Sequence, residues 1–134
     1  GLGRFGDAIS RRLRDSGLRV LGVDFDPEVV RRWHQAGLPA IYGDASDPEL
    51  IASLPLEGVR WVVSAAPAVR GGLTQEDHRL ALLDGLKAVH FEGRAAVTAH
   101  SPAEAEGLRA RGANLVLLPF HEAAARAAEL VAEG

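Results

Sequence analysis

The sequence predicts an α/β domain, a doubly wound parallel sheet with helices on both faces. Three observations carry that expectation. Short apolar runs alternate with amphipathic stretches along the whole chain, separated by short connections. A glycine triplet, Gly1-Leu2-Gly3-Arg4-Phe5-Gly6, has the form G-x-G-x-x-G and runs straight into a helical pattern. Asp24 closes the next apolar run, 18 residues after Gly6, close to where such folds place an acid that binds ribose.

In the triplet, Gly1 permits a tight turn, Gly3 lets the main chain approach a phosphate, and Gly6 lets the following helix pack close to the sheet. A helix starting near Arg4 aims unpaired N–H groups and the positive end of its dipole at an anion. Phe5, Ile9 and Leu13 form its apolar stripe, with Arg11, Arg12, Arg14 and Asp15 opposite and Gly17 as its stop. Arg19 to Val23 reads as a strand ending at Asp24. Asp26-Pro27-Glu28 is an N-cap, a proline at the first helical position and an acidic first turn, opening a helix with Val29, Val30 and Trp33 that ends at Gly37. Leu38 to Tyr42 is the next strand, followed by Gly43-Asp44-Ala45. Asp47-Pro48-Glu49 repeats the cap, and a short helix through Leu50, Ile51 and Leu54 stops at Pro55.

Val59 to Ser64 forms a further strand, leading to Ala65-Ala66-Pro67 and a loop ending Arg70-Gly71-Gly72. Thr74 with Asp77 has the look of a capping box before a helix running to about Val89, with Leu80, Leu83 and Leu86 on one side. Arg94 to Ala99 is a strand, and Ser101-Pro102-Ala103-Glu104 has full capping-box spacing for a helix ending near Gly112. Leu115 to Leu118 is the last strand; Pro119 breaks it before an alanine-rich helix from about Phe120 to Ala132. The expected topology is Rossmann-like, with strand order 3-2-1-4-5-6. The glycine turn calls for a strand before it, and the sequence holds no methionine, so we expect residues 1–134 to be a single, N-terminally truncated domain whose first, central strand is missing.

The composition, 47% hydrophobic and 25% charged with formal charge −3, is that of an ordinary globular domain and gives no overall attraction for nucleic acid. The absence of cysteine excludes disulfides and thiolate chemistry, and the longest apolar runs fall short of a membrane span. The five histidines show no ligand spacing, and Ser64 and Ser101 have no evident base partner. Tyr42 and Lys87 lie on different elements, so the tyrosine–lysine pair of many small reductases is absent.

The ligand-binding expectation rests on a few residues. A carboxylate at Asp24 accepts bonds from both ribose hydroxyls and repels a 2′-phosphate, favouring NAD(H) or an adenine mononucleotide over NADP(H). Asp26 is accounted for by its cap. Asp44 either recognises an adenine edge with its neighbouring amides or stabilises its own turn, and the residues leave both readings open. Arg4 is placed to reach a phosphate, and Ala65 and Ala66 keep side chains small where the second half of a ligand passes.

Taken together, the glycine run, Val23-Asp24-Phe25-Asp26-Pro27, Tyr42-Gly43-Asp44-Ala45-Ser46-Asp47-Pro48, and Gly112-Ala113-Asn114 leading to Leu118-Pro119-Phe120 resemble the RCK domain, also called KTN or TrkA-N. The closing Leu118 to Ala124 segment is most similar to the version fused to Kef-type cation/proton antiporters. The resemblance implies a cytoplasmic regulatory domain, on the inner face of the membrane, that binds NAD(H), AMP, ADP or ATP. Its occupancy would gate a potassium channel, a Trk or Ktr uptake system or an antiporter, without catalysis, and the domains would pair as dimers or larger rings. It further implies that Gly1, Gly3, Arg4 and Gly6 contact phosphates, Asp24 the ribose, and Asp44 with Ala45 the adenine, with Phe5 and Phe25 beside them. The segment from Ala65 to Gly72 departs from the family's more polar pattern, which favours a mononucleotide, and the family's C-terminal subdomain is absent from these residues. Two alternatives remain: a fragment of an NAD-dependent oxidoreductase or epimerase, and a dimerisation scaffold with a vestigial pocket.

Overall fold

A computed structural model describes residues 1–66 and 77–134. Helices and strands alternate as α1 (Arg4–Asp15), β1 (Gly22–Asp24), α2 (Pro27–Gln35), β2 (Ala40–Tyr42), α3 (Pro48–Ser53), β3 (Trp61–Val63), α4 (His78–Ala88), β4 (Arg94–Thr98), α5 (Pro102–Ala110), β5 (Leu115–Leu117) and α6 (Pro119–Glu133). All ladders are parallel, and they form two sheets: β1 with β2, and β3-β4-β5 in that order. Each step from one strand to a parallel neighbour passes through a helix, as parallel pairing requires.

The predicted caps account for the helix starts. Asp26, Asp47 and Ser101 each accept a first-turn amide on the side chain, at 2.9, 2.9 and 3.2 Å, and a proline follows each one. α1 and α2 close at Gly17 and Gly37, whose φ values of 86° and 75° lie in the left-handed region that glycine adopts without cost. The start of α4 differs from expectation. Asp77 is its N-cap, accepting from the Arg79 amide at 2.9 Å, rather than the N3 residue of a box begun by Thr74, which lies outside the described residues. The loop at 67–72 and its departure from the family pattern also fall largely outside them.

The core lies on the three-stranded sheet. Leu80, Leu82, Leu83 and Leu86 of α4 meet Val97 and Ala95 of β4, Ala105 and Leu108 of α5, Val116 of β5 and Ile51 of α3. Each fully buried leucine of this kind contributes about 1.5–3 kcal/mol. A smaller cluster covers β1, where Trp33 of α2 and Leu2 close over Gly22. α6 stands apart from both, with no buried residue.

Candidate nucleotide site at the strand tips

Four segments meet at the carboxyl ends of β1, β2 and β3. The glycine turn is held to β1 by the Leu2 amide, which donates to Asp24 Oδ2 at 2.8 Å. The other oxygen, Oδ1, accepts from the Asp26 amide at 2.8 Å. Each carboxylate oxygen has capacity for a second bond, so Asp24 is anchored in position with acceptor capacity left for hydroxyl donors. The turn also rests on the chain beyond β3. A Cβ on Gly1 would lie 3.4 Å from the Ala66 backbone, and one on Gly6 would lie 1.9 Å from the Gly1 carbonyl oxygen and 3.3 Å from the Ala65 side chain. Gly6 is therefore required by the turn itself, and the wall at Ala65 leaves a Cβ there little room.

Gly3 differs from Gly6. A Cβ there would meet no atom of the described residues within 4 Å, so their packing does not require a glycine. Gly3 is the N-cap of α1, and among the described residues no side chain caps its first-turn amides. Arg4 is exposed and makes no hydrogen bond or ion pair among the described residues. Phe5 is half-buried, and Phe25 is 70% exposed.

Asp44 follows the end of β2, whose tip is tied to β1 where the Gly43 amide donates to the Asp24 carbonyl at 3.0 Å. Its Oδ1 accepts from the Ser46 hydroxyl at 2.6 Å and the Ser46 amide at 2.9 Å. These bonds, the hydroxyl's first, hold the Asp44 carboxyl below its usual range, and His78 adds attraction. The turn-stabilising role is thus occupied by one oxygen, while Oδ2 takes part in neither bond. Ala45 is half-buried beside it.

The strand ends also hold a cluster that the sequence reading passed over. Arg79 is wholly buried. Its guanidinium grips Asp77 with Nε on Oδ1 at 3.0 Å and a terminal nitrogen on Oδ2 at 2.6 Å. The other terminal nitrogen donates to the Thr98 carbonyl at 2.8 Å and to Glu104 of α5. Burial raises the Asp77 carboxyl, yet the bonds and charge of Arg79 outweigh it and hold the group below its usual range. The same partners outweigh burial at Arg79 and raise its pKa. The signal in the sequence is an arginine amid the apolar positions of α4, but its partner Glu104 is 25 residues away. Among the described residues no three His, Cys, Asp or Glu side chains gather as a metal site.

A glycine turn opening a helix, an anchored acid at the neighbouring strand tip and parallel αβ units define the dinucleotide-fold class of nucleotide-binding domains. The TrkA-N domain family matches residues 1–119, and the chain belongs to it. It is 32% identical, over 65 residues, to the Ktr system potassium uptake protein C of Bacillus subtilis; the match takes in 48% of this chain and 29% of that protein. The chain thus covers under a third of that relative's length. The NAD(P)-binding domain of an exopolyphosphatase-related protein from Archaeoglobus fulgidus superposes with a TM-score of 0.81 at 28% identity, over 100% of this chain and 95% of that one. The Kef CTD of Shewanella denitrificans in its AMP-bound form gives a TM-score of 0.76 at 20% identity, over 100% and 78% of the two chains, a likeness of fold. Among the described residues, no helix is long and apolar enough to cross a membrane.

Proposed function

We propose that this domain binds an adenine nucleotide, AMP or a relative such as ADP, ATP or NAD(H), and uses its occupancy to regulate a membrane potassium or cation/proton transport system. The observation that carries the reading is the open N-terminus of α1, capped by Gly3 without a side-chain bond and tied by the Leu2 amide to Asp24. In this arrangement the ligand's phosphate sits over the first-turn amides of α1, with Arg4 free to reach it. Gly1 and Gly6 hold the turn, and Phe5 flanks it. The ribose hydroxyls bond to Asp24, whose charge disfavours a 2′-phosphate. Adenine lies toward Phe25 and the Asp44-Ala45 turn, and Ala65 and Ala66 bound the far side. No bond is broken in this scheme, and no catalytic residue is assigned. A ligand that prefers one arrangement of paired domains shifts the population toward it by its differential affinity.

The same reading takes residues 1–134 as one domain in which the unpaired edges of β1 and β3 belong to a single sheet of order 3-2-1-4-5-6. It places the domain on the cytoplasmic side of the membrane as part of, or bound to, its transporter. It also supplies a role for α6, whose exposed stripe of Phe120, Ala124, Ala127 and Val131 suits pairing with a second copy.

Calorimetric titration with AMP, ADP, ATP, NAD and NADH tests the site. Loss of charge-assisted bonds in Asp24→Ala should weaken the preferred nucleotide by about tenfold to a hundredfold. Retention of full affinity in that variant would remove Asp24 from the site, and no binding by the folded protein would leave the scaffold reading. Nucleotide-dependent ion flux through the transporter, against turnover of NADH, separates regulation from an oxidoreductase.

A further inference from the structure

The buried Arg79 cluster does not touch the proposed ligand, yet it is joined to the wall that backs the phosphate turn. Thr98 ends β4, and its hydroxyl donates to the Ala66 carbonyl at 2.9 Å. Ala66 is the residue whose backbone Gly1 rests on, and its neighbour Ala65 lies against Gly6. The Thr98 carbonyl in turn accepts from Arg79, at 2.8 Å. Arg79 is held by Asp77 at the start of α4 and by Glu104 in the first turn of α5. Glu104 itself is fixed in the α5 capping box, its amide donating to Ser101 Oγ at 3.2 Å.

We propose that Thr98 and Arg79 are positioning residues for phosphate binding, setting the depth of the Ala65–Ala66 wall against which the glycine turn forms. The inference rests on the nucleotide-site reading given above. The geometry supports it on three counts. Ala66 follows the end of β3, and no ladder bond to β4 holds its carbonyl, since the pairing register ends at Val63 with Ala96. The bond from Thr98 takes up that carbonyl and draws the wall toward β4. Thr98 has no freedom to follow a moving wall, because its carbonyl is bonded to a guanidinium with no exposed surface, itself braced by two helices. All three guanidinium nitrogens of Arg79 are committed within the cluster, so Arg79 acts on the ligand only through Thr98 and Ala66. A displaced wall would loosen the turn that presents the α1 amides to phosphate while leaving Asp24 on β1 in place.

The test is calorimetric titration of the wild-type protein, Thr98→Val, Thr98→Ser and Arg79→Lys with AMP and with adenosine, beside thermal unfolding of each. Thr98→Val keeps the shape and the main-chain bond to Arg79 and deletes only the hydroxyl. We expect it to lower the ratio of AMP to adenosine affinity by about tenfold, the size of one lost buried hydrogen bond, with Thr98→Ser restoring it. Arg79→Lys, which loses the two-point grip on Asp77, should lower the same ratio by a smaller factor if it folds. A Thr98→Val protein that melts at a lower temperature but keeps the wild-type ratio would overturn the proposal and leave the nucleotide site intact. Wild-type protein that binds neither compound would overturn this inference, and one that also binds none of ADP, ATP, NAD and NADH would overturn the site reading with it.

Discussion

α1 and α4 both begin at the carboxyl ends of strands, and they treat their first-turn amides in opposite ways. α1 starts at Gly3, where among the described residues no side chain caps its amides and none lies within 4 Å of where a Cβ would point. α4 starts at Asp77, which is 7% exposed and has both carboxylate oxygens committed to Arg79. A helix start can be used outwardly, for an anion from solution, or inwardly, as a joint between elements. Glycine makes the outward choice cheap, since as an N-cap it lies only a few tenths of a kcal/mol below serine or aspartate. The inward choice is costlier, because burying Arg79 and Asp77, with Glu104 partly buried beside the guanidinium, gives up hydration that only close pairing recovers.

The largest effect that sharpens this contrast is expected from Arg79→Met. The substitution leaves Asp77 buried and Glu104 partly buried without their guanidinium partner, and it should cost about 3–5 kcal/mol in equilibrium urea unfolding. A loss below 1 kcal/mol would show that water already reaches the cluster. The converse change, Gly3→Asp, gives α1 the kind of start that α4 has. Its stability should rise by a few tenths of a kcal/mol, while AMP affinity falls more than tenfold because a fixed carboxylate occupies the amides and repels phosphate. Equal affinity in that variant would place the phosphate elsewhere.

The smallest effect concerns acid. The folded pKa of Asp77 lies below its unfolded value of about 3.9. Its contribution to stability is therefore complete above that value and is lost as the pH falls through the folded pKa. Thermal midpoints measured from pH 6 downward should drop more steeply below about pH 4 in the wild type than in Asp77→Asn. Parallel curves would assign acid unfolding to other carboxylates.

Much of the fold was legible because its signals are local. Asp26-Pro27, Asp47-Pro48 and Ser101-Pro102 each mark a helix start within two residues, and the structure begins α2, α3 and α5 there. The strands were legible in place and less so in extent. β1 and β3 were expected as runs of five or six residues and pair over three, each having a partner on one side only. In the site, the approach of the glycine turn to Asp24 follows from spacing, whereas the contacts that hold it depend on main-chain atoms that no residue type announces. The Arg79 cluster was illegible for a different reason. A charged residue reads as solvent-facing until its partners are known, and Thr98 and Glu104 reach it only after β4 and α5 have folded over α4.

α6 carries a consequence of another kind. An isolated helix of its length is marginal in water, since nucleation costs more than a few turns of backbone bonding return. With no residue of Pro119–Glu133 buried, the domain alone supplies this helix with almost no tertiary support. Its coil–helix balance then depends on the surfaces it meets, so a partner covering these fifteen residues would raise their order without any change in the fold of the rest.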